Sequence, residues 1–417
     1  MNLSDHERGI LSGANGPEGA RMAMEVVVEA ARMMGADRLV PIVSSHIDGC
    51  LYHGDAGVLY CEKLAEEGAR VAVPATTNVG SLNLLKADQV QLPKARRGMA
   101  YRLMMAHQRM GCTPTWTCAP YQTQARPALG QQIAWGESNA VAFANTVVGA
   151  RTNRYGDFLD LACAIAGRAP YYGLHCPENR SARLLFELSG LPEPLLREDA
   201  FFAVLGALVG RLAGDAVSAV DGIPGPVRED QLKAFCAAAA ATGAVALTHI
   251  AGVTPEAPDA ASALGGVPPE ETIRVTREMV VAARDRLSLA GSGPIDCVSL
   301  GSPHFSGDEC REVLALAESR TFRVPVYVCL GRHTLEGLRT DGAYEALQDL
   351  GVEFVVDTCV VVTAILPQRP GVMMTNSAKF AYYSFGNTGY KPVFGTLSDC
   401  IRSAQEGRVV RDPEIWG

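Results

Sequence analysis

The sequence contains no apolar run long enough to cross a membrane. Its longest candidate, residues 235–247, is Ala-rich and shorter than the roughly 18 apolar residues that a transmembrane helix needs. Residues 1–20 are polar and lack the apolar core of a secretion signal. We therefore expect a cytoplasmic protein rather than a membrane-embedded or exported one.

An excess of positive charge is also absent. The chain has 37 Lys and Arg against 45 Asp and Glu, and its formal net charge is −8. Nucleic-acid-binding domains usually carry a basic stripe and have a high pI, so the charge argues against that class. The length of 417 residues and the hydrophobic content of 48% predict two or three domains.

The twelve cysteines include no pair with the CxxC spacing, so neither a zinc ribbon nor a thioredoxin-like site is indicated. In a reducing compartment, thiols stay free or bind metal. We expect most of these cysteines to be small buried hydrophobes and a minority to be ligand candidates.

Short β-rich runs alternate with helical patterns along the chain. The alternation is clearest near the end, where strands predicted at 295–301, 324–329 and 354–356 are separated by helices predicted at 308–319 and 334–350. This rhythm predicts an α/β fold with mostly parallel sheets flanked by helices.

Two Pro-rich segments, 189–194 and 253–270, interrupt the alternation and suggest boundaries. We expect an α/β region with substrate and cluster motifs over residues 1–190. A mainly helical intermediate region should cover 191–285, and βα repeats with further motifs should cover 286–417.

Polar residues that follow predicted strands are the first functional candidates, because ligands of parallel sheets gather beyond the strands' carboxyl ends. The strand predicted at 39–43 is followed by SSHIDG, in which Ser45 and His46 could handle protons. The alternative is a hydrogen-bonded turn with surface histidines.

The strand predicted at 71–73 is followed by PATTN. Its three short polar side chains, Thr76, Thr77 and Asn78, could hold a substrate carboxylate. Capping of a helix is the commoner use of such residues and remains open.

A cysteine pair flanks Trp116, with Cys112 before it and Cys118 after it. Pro120 follows the second cysteine closely and favours a turn, where backbone N–H groups could hydrogen-bond a thiolate that holds a metal or cluster. A lone cysteine pair is weak evidence by itself.

A helix predicted over 137–148 has polar residues at both ends. Glu137 and Ser138 lie at its N-terminus, where backbone N–H groups attract anions. Arg151 and Asn153 follow its C-terminus, and an arginine can hold a carboxylate with two hydrogen bonds. Capping and a surface ion pair are the alternatives.

Further candidates are Ser302 and His304, which follow the strand predicted at 295–301, and Cys359, which follows the strand predicted at 354–356. Ser377 and Lys379 come later in the chain. Cys359 lies at the carboxyl end of a strand, as a ligand should. Cys297 lies inside a strand, so its side chain should point away from residue 302 or lie well below it.

Taken together, these segments resemble the aconitase X family over nearly the whole chain. The likeness lies in SSHIDG, VPATTN, TCAPY, WGESNAVAFANTVVGARTNR, GLHCPENR, GSPHFS, DTC and NSAKFAYY, in that order. The order and number of these motifs make the resemblance specific. It implies an aconitase-like fold and an iron–sulfur hydro-lyase.

The resemblance also implies the cluster ligands. Cys118 and Cys359 match cysteine ligands of the family, and a third ligand is expected. The archaeal-type motif has a cysteine where this chain has Ser302, so the third ligand could be Ser302, Cys297 or Cys112. The nuclearity of the cluster, 2Fe–2S, 3Fe–4S or 4Fe–4S, stays open.

Family members dehydrate small hydroxy acids. The resemblance implies conversion of cis-3-hydroxy-L-proline to pyrroline-2-carboxylate, or dehydration of mevalonate 5-phosphate in a two-chain enzyme. Because the sequence ends soon after NSAKFAYY, we expect a separate small swivelling-domain subunit as partner. A non-enzymatic iron–sulfur sensor or scaffold is the alternative of another class.

Dehydration assigns tasks to the candidate residues. The substrate carboxylate needs cationic or hydrogen-bonding partners, and Glu137 or Asp48 could hold a ring nitrogen. Candidates for the carboxylate are Arg151, Lys379, Thr77 and Asn78. Candidates for the base that removes the carbon-bound proton are Ser45, His46 and His304, with Ser377 as a further serine base.

Overall fold

The structure is a computed structural model, in which residues 1–416 are defined. Two compact units make up the chain, Met1–Arg180 and Ser181–Gly417. Within the defined residues, no helix combines the length and the apolarity required to cross a bilayer. All twelve cysteines are buried thiols, and none of them forms a disulfide bond.

The first unit is built from short strands and longer helices. Its helices are α1 (Asp5–Leu11), α2 (Glu18–Met33), α3 (Asp55–Glu66), α4 (Lys94–Arg109), α5 (Ser138–Phe143) and α6 (Leu159–Ala166). Its strands are β1 (Leu39–Pro41), β2 (Ser45–Ile47), β3 (Ala75–Thr77), β4 (Ala134–Trp135) and β5 (Arg168–Pro170). A single turn of π-helix, Ala144–Val148, extends α5.

The central sheet of this unit is parallel, with strand order β3-β2-β4, and β1 pairs with β5 in a separate antiparallel ribbon. The register pairs Ser45 with both Ala75 and Ala134, so the three carboxyl ends meet at one edge. Asp48, Asn78 and Glu137 follow these strand ends directly or after one residue.

The second unit contains two further parallel sheets. Its helices are α7 (Glu193–Arg197), α8 (Asp199–Ala213), α9 (Glu229–Thr242), α10 (Ala260–Ala263), α11 (Arg277–Arg286), α12 (Gly307–Ala317), α13 (Arg332–Thr340), α14 (Ala343–Asp349), α15 (Ala378–Thr388) and α16 (Leu397–Glu406). Its strands are β6 (Leu184–Glu187), β7 (Ser218–Asp221), β8 (Thr248–Ile250), β9 (Glu271–Arg274), β10 (Cys297–Phe305), β11 (Val326–Leu330), β12 (Val352–Val356), β13 (Gly371–Thr375) and β14 (Tyr390–Phe394).

The sheets of the second unit have strand orders β8-β7-β6-β9 and β12-β11-β10-β13-β14. The core of the five-stranded sheet consists of apolar strand residues such as Val298, Val328 and Met374, which pack against α12, α14 and α16. Because the sheet is parallel, the ends of β10, β12 and β13 lie at one edge.

The structure corrects several expectations about the elements. The strand expected at 71–73 is wrong, because the strand is Ala75–Thr77, and the run expected at 39–43 ends at Pro41. The region 191–285 is not simply helical, since β7, β8 and β9 lie in it. The boundary expected at 190 would separate β6 from β7 and β9, with which β6 pairs.

A bulge interrupts β10. Pairing with β11 is regular up to Leu300 and resumes only at Phe305. At the start of this bulge, Gly301 has φ +87°, and a Cβ atom on it would lie 2.1 Å from the carbonyl oxygen of Cys329. Only glycine fits this backbone, which takes Ser302 and His304 out of the regular ladder.

We predict that Gly301→Ala lowers the free energy of unfolding by about 2–3 kcal/mol, because the added methyl group needs a strained φ and meets the β11 backbone. Chemical denaturation followed by circular dichroism measures the change.

The matched control is Gly337→Ala, whose new methyl group has nothing within 4 Å inside α13. It should stabilise the protein by about 0.5–1 kcal/mol. Equal stabilities of the Gly301 variant and the wild type would contradict the bulge geometry.

Candidate functional site

A buried cluster of carboxylates lies at the carboxyl edge of the sheet in the first unit. The Asn78 side-chain amide donates to Asp48 and, at 3.4 Å, to Oε2 of Glu137. Asn78 is only 1% exposed, and its Oδ1 accepts no hydrogen bond from any defined residue. The amide oxygen is thus left for a donor that the protein itself does not supply.

Asp160, in the first turn of α6, joins this cluster. Its carboxylate accepts hydrogen bonds from the backbone N–H groups of Asp48 at 2.6 Å and Leu161 at 2.7 Å. A Cβ atom on Gly136 would lie 2.2 Å from Asp160 Oδ2. The glycine of the WGES motif therefore makes room for the carboxylate.

Burial keeps protons on this cluster. Desolvation raises the pKa of Asp160 to about 7, although the backbone N–H groups of Asp48, Leu161 and Phe158 oppose the shift. The pKa of Asp48 lies well above its usual value, first because of burial and then because Glu137 and Asp160 are close. Carboxyl groups that titrate near neutral pH can exchange a proton with a substrate or be ionised by a bound cation.

Sequence reasoning missed Asp160. The available signal was a single acidic residue within the otherwise apolar helix LDLACAIA. Such a residue is rarely fully buried without a specific partner.

Ser45 and His46 lie inside β2 rather than after a strand. The Ser45 hydroxyl donates to the carbonyls of Ala134 at 2.5 Å and Asp160 at 3.3 Å. His46 Nδ1 lies 2.8 Å from the Thr76 hydroxyl, and burial lowers the pKa of His46 to about 3. A base works best with a pKa near the working pH, so these contacts favour structural roles for Ser45, His46 and Thr76.

Thr77 fixes the segment that leads to Cys118. Its hydroxyl accepts from Trp116 N–H at 3.2 Å, and its carbonyl accepts from the Thr115 hydroxyl at 2.9 Å. The Asn139 amide donates to the carbonyl of Cys118 at 2.6 Å. Thr77 thus has its own partners and is not directed at a substrate, whereas the backbone of the buried Cys118 is held in place.

The residues expected around the helix at 137–148 separate into two groups. Glu137 caps α5 by accepting from Asn139 N–H at 3.0 Å, and the Ser138 hydroxyl donates to it at 3.3 Å. Arg151 instead bridges to Gln132, before β4 begins, so its backbone lies away from the carboxyl edge.

Asn153 has a structural role within the same unit. Its amide donates to the carbonyl of Tyr172 at 2.9 Å, and its Oδ1 accepts from Leu174 N–H at 2.9 Å. These contacts use both ends of the side chain. The structure therefore does not bring Asn153 to the carboxylate cluster.

In the second unit, Cys359 lies just beyond the end of β12. The pKa of this buried thiol is lowered by a hydrogen bond from Cys329; burial opposes the shift, and the Val361 N–H group, the Lys379 charge and the Ser302 hydroxyl assist it. These partners favour a thiolate, the form of cysteine that binds metal.

Ser377 completes this group by donating its hydroxyl hydrogen to the carbonyl of Ser302 and capping α15. Ser302, Cys359, Ser377 and Lys379 are therefore brought together, and of these Ser302 and Cys359 were predicted to follow strands. Cys329, inside β11, was missed because a cysteine in VYVCL is indistinguishable from a core residue.

His304 is fully buried at the end of β10. Its Nε2 lies 3.2 Å from the carbonyl of Thr358, so we assign the proton to Nε2. The ring therefore links the bulge to Thr358, the residue before Cys359. This contact is structural, and the role of His304 as a base stays a prediction.

The remaining thiols expected as ligands have a different character. Cys297 begins β10, five residues before Ser302, and burial raises its pKa to about 12. Burial likewise raises the pKa of Cys112 to about 12. The structure does not bring Cys297 to Cys359. Within residues 1–416, no group of three or more His, Cys, Asp or Glu side chains forms a metal site.

Three family models match the chain in order. The Aconitase X first domain matches residues 1–178, the second domain residues 182–285 and the third domain residues 295–406. A crystal structure of Thermococcus kodakaraensis aconitase X in its holo form superposes with a TM-score of 0.86 at 32% identity and covers 97% of this chain and 100% of that one. The predicted α/β fold class is confirmed.

Curated relatives fall into two groups. The chain is 41% identical to cis-3-hydroxy-L-proline dehydratase from Pseudomonas aeruginosa, over 99% of this chain and 72% of that protein. It is 40% identical to the protein of the same name from Hypocrea jecorina, over 98% and 69%. It is 33% identical to the phosphomevalonate dehydratase large subunit of Thermococcus kodakarensis, over 97% and 100%.

The raised pKa of Asp160 predicts a pH-dependent stability difference. The unfolded chain loses this proton near pH 4 and the folded protein near pH 7, so the stability that the group contributes is complete below about pH 4 and is lost as the pH rises through 7. Asp160→Asn cannot ionise. Relative to the wild type, its free energy of unfolding should rise by about 2 kcal/mol between pH 5 and 8.

Chemical denaturation of both proteins at the two pH values measures this difference. An offset between variant and wild type that is the same at pH 5 and pH 8 would show that Asp160 ionises normally.

Proposed function

Because this chain belongs to the Aconitase X family, we propose that it dehydrates cis-3-hydroxy-L-proline to pyrroline-2-carboxylate. The observation that carries the proposal is the buried group of Asp48, Asn78, Glu137 and Asp160. The two curated relatives with 40–41% identity bear the name of this activity.

A buried cluster of carboxylates suits the ring nitrogen of a proline derivative, which is a protonated secondary amine. The ammonium can donate to Asp48 or Glu137, and the Asn78 amide oxygen still lacks a donor. Binding of the cation would draw protons off carboxyl groups whose pKa is raised. A phosphorylated substrate would instead bring more negative charge to an already acidic edge.

The elimination removes the proton from the carbon beside the carboxylate and hydroxide from the neighbouring carbon. The enamine that results tautomerises to the cyclic imine, pyrroline-2-carboxylate. We assign the proton acceptor to the carboxylate cluster, because the pKa of Asp160 is about 7 while that of His46 is too low.

Cys359 fits an iron–sulfur ligand, because its surroundings favour a thiolate in a buried place. We propose Cys359 as a ligand and Ser302 as its oxygen neighbour, and Cys118 stays a prediction from the family resemblance. A bound cluster with an open iron position would supply a Lewis acid for the departing hydroxyl group. The chain's own part is to keep the sulfur ionised and to shield it from water.

We also propose a small partner subunit. The relatives that this chain covers almost entirely are named large subunits. It covers 72% of the Pseudomonas aeruginosa dehydratase, so that protein contains a further segment to which no part of the 417 residues corresponds.

The test uses the chain purified anaerobically with its small partner. It should dehydrate cis-3-hydroxy-L-proline in preference to mevalonate 5-phosphate. An analogue with oxygen in place of the ring N–H should react about 10⁴-fold more slowly, because the buried acceptors would lack a donor. In Asp48→Asn, kcat/KM for hydroxyproline should fall about 100-fold and most of the discrimination against the analogue should disappear.

Glu66→Gln, at an exposed position on α3, is the matched control and should behave like the wild type. Preference for mevalonate 5-phosphate, or equal discrimination in Asp48→Asn and the wild type, would exclude amine recognition by this cluster.

A second prediction concerns the cluster. Cys359→Ala should lose most of its iron and sulfide, because the lowered pKa of the buried Cys359 thiol favours the thiolate that binds iron. Cys297→Ala removes a neutral thiol at the start of β10, and this variant should keep both its iron and its sulfide. Chemical determination of iron and sulfide per chain measures this, and a Cys297 variant as depleted as the Cys359 variant would reject the assignment.

A further inference from the structure

Helix α9 contributes a buried lysine to which the proposed function assigns no task. The Lys233 side chain is only 3% exposed, and its ammonium lies 2.7 Å from Asp230 Oδ1. It also pairs with Glu309 at the start of α12. A third donor position reaches the carbonyl oxygen of His304 at 3.4 Å. A buried cation is retained only with partners of this kind.

The contacts of Lys233 continue into a network around Ser306. The Ser306 hydroxyl donates to Asp230 Oδ2 at 2.7 Å, and its N–H donates to Glu309 Oε2 at 2.8 Å. These bonds join three elements, namely α9, the end of β10 and the first turn of α12. Hydrogen bonds and ion pairs with α9 therefore hold the end of β10, which contains His304, in place.

This attachment matters because the preceding residues lack regular strand pairing. Between Leu300 and Phe305 the ladder with β11 is interrupted, so side chains must fix the bulge. Ser377 holds the carbonyl of Ser302, and Lys233 holds the carbonyl of His304. Lys233, Ser302, Ser377 and Lys379 line the same small cavity.

The charges around Lys233 argue against direct binding of an anionic substrate. Burial alone would lower its pKa, but Glu309 and Asp230 raise it, so the ammonium stays protonated. Two carboxyl groups already face this single cation. No surplus positive charge is therefore left at Lys233 for a substrate carboxylate.

We propose that Lys233 is a positioning residue that holds the Ser302–His304 segment of β10 against Cys359. The inference deepens the proposed function, because it rests on the role assigned there to Cys359 and Ser302. Loss of the lysine would release the His304 carbonyl and let the bulge move away from the thiolate.

The experiment compares Lys233→Met, Lys233→Arg and the wild type as the complex with the small partner. Hydrogen exchange followed by mass spectrometry should show amides of residues 301–306 exchanging about 10-fold faster in Lys233→Met. Lys233→Arg, which retains the charge and the donors, should restore most of the protection. For cis-3-hydroxy-L-proline, kcat should fall about 10-fold in Lys233→Met with KM nearly unchanged.

Lys391→Met, at an exposed lysine on β14, is the matched control and should change neither measurement. If Lys233→Met does not fold, Asp230→Asn removes one partner and keeps the pair with Glu309. It should raise the exchange of the same peptide by a smaller factor.

Unchanged exchange at 301–306 in the variant that folds would overturn the proposal. A raised KM with unaltered kcat and exchange would overturn it as well, by assigning Lys233 to substrate contact. The exchange measurement needs no turnover, so it decides the positioning role even if the wild type proves inactive on hydroxyproline.

Discussion

Burial of ionisable groups at the carboxyl ends of parallel strands is the constraint on which both units depend. Removing a charge from water costs several kcal/mol unless hydrogen bonds or counter-charges offset it. In the first unit, backbone N–H groups and one amide offset this cost only partly, so the pKa of Asp160 stays near 7. In the second unit, the donors around Cys359 outweigh burial, and the thiol pKa falls. One arrangement therefore favours the protonated form of a carboxyl group, and the other favours the ionised form of a thiol.

Two glycines allow these ionisable groups to reach their positions. Gly136 permits the approach of Asp160 because any Cβ atom there would overlap its carboxylate. Gly301 permits the bulge that takes Ser302 out of the ladder with β11. Both glycines belong to motifs, WGES and GSPHFS, whose polar residues attract attention first. The glycines of these motifs therefore serve close packing, and they allow the polar side chains of the same motifs to take their positions.

The sequence pattern predicts the fold class, because strands such as β11 and β12 are runs of mostly apolar residues between helical patterns. It fails for β3, a strand of three residues whose threonines look like a loop. For the same reason, Ser45 and His46 were predicted to follow a strand, whereas they lie inside β2. Asp160 was not predicted because its partner Asp48 is 112 residues away, and Lys233 was not predicted because Glu309, one of its two carboxylate partners, is 76 residues away.

Electrostatics also bears on the choice between the two activities named among the relatives, which identities of 41% and 33% do not decide alone. At about 4 Å and an effective dielectric constant of about 20, each pair of unit charges contributes about 4 kcal/mol. An ammonium placed between Asp48 and Glu137 gains that attraction twice, and it also removes the repulsion that raises the pKa of Asp48. A phosphate in the same place would add repulsion of similar size. A substrate bound as we propose would therefore be selected by the sign of its charge at the carboxylate cluster, before any contact with its reacting carbon atoms is made.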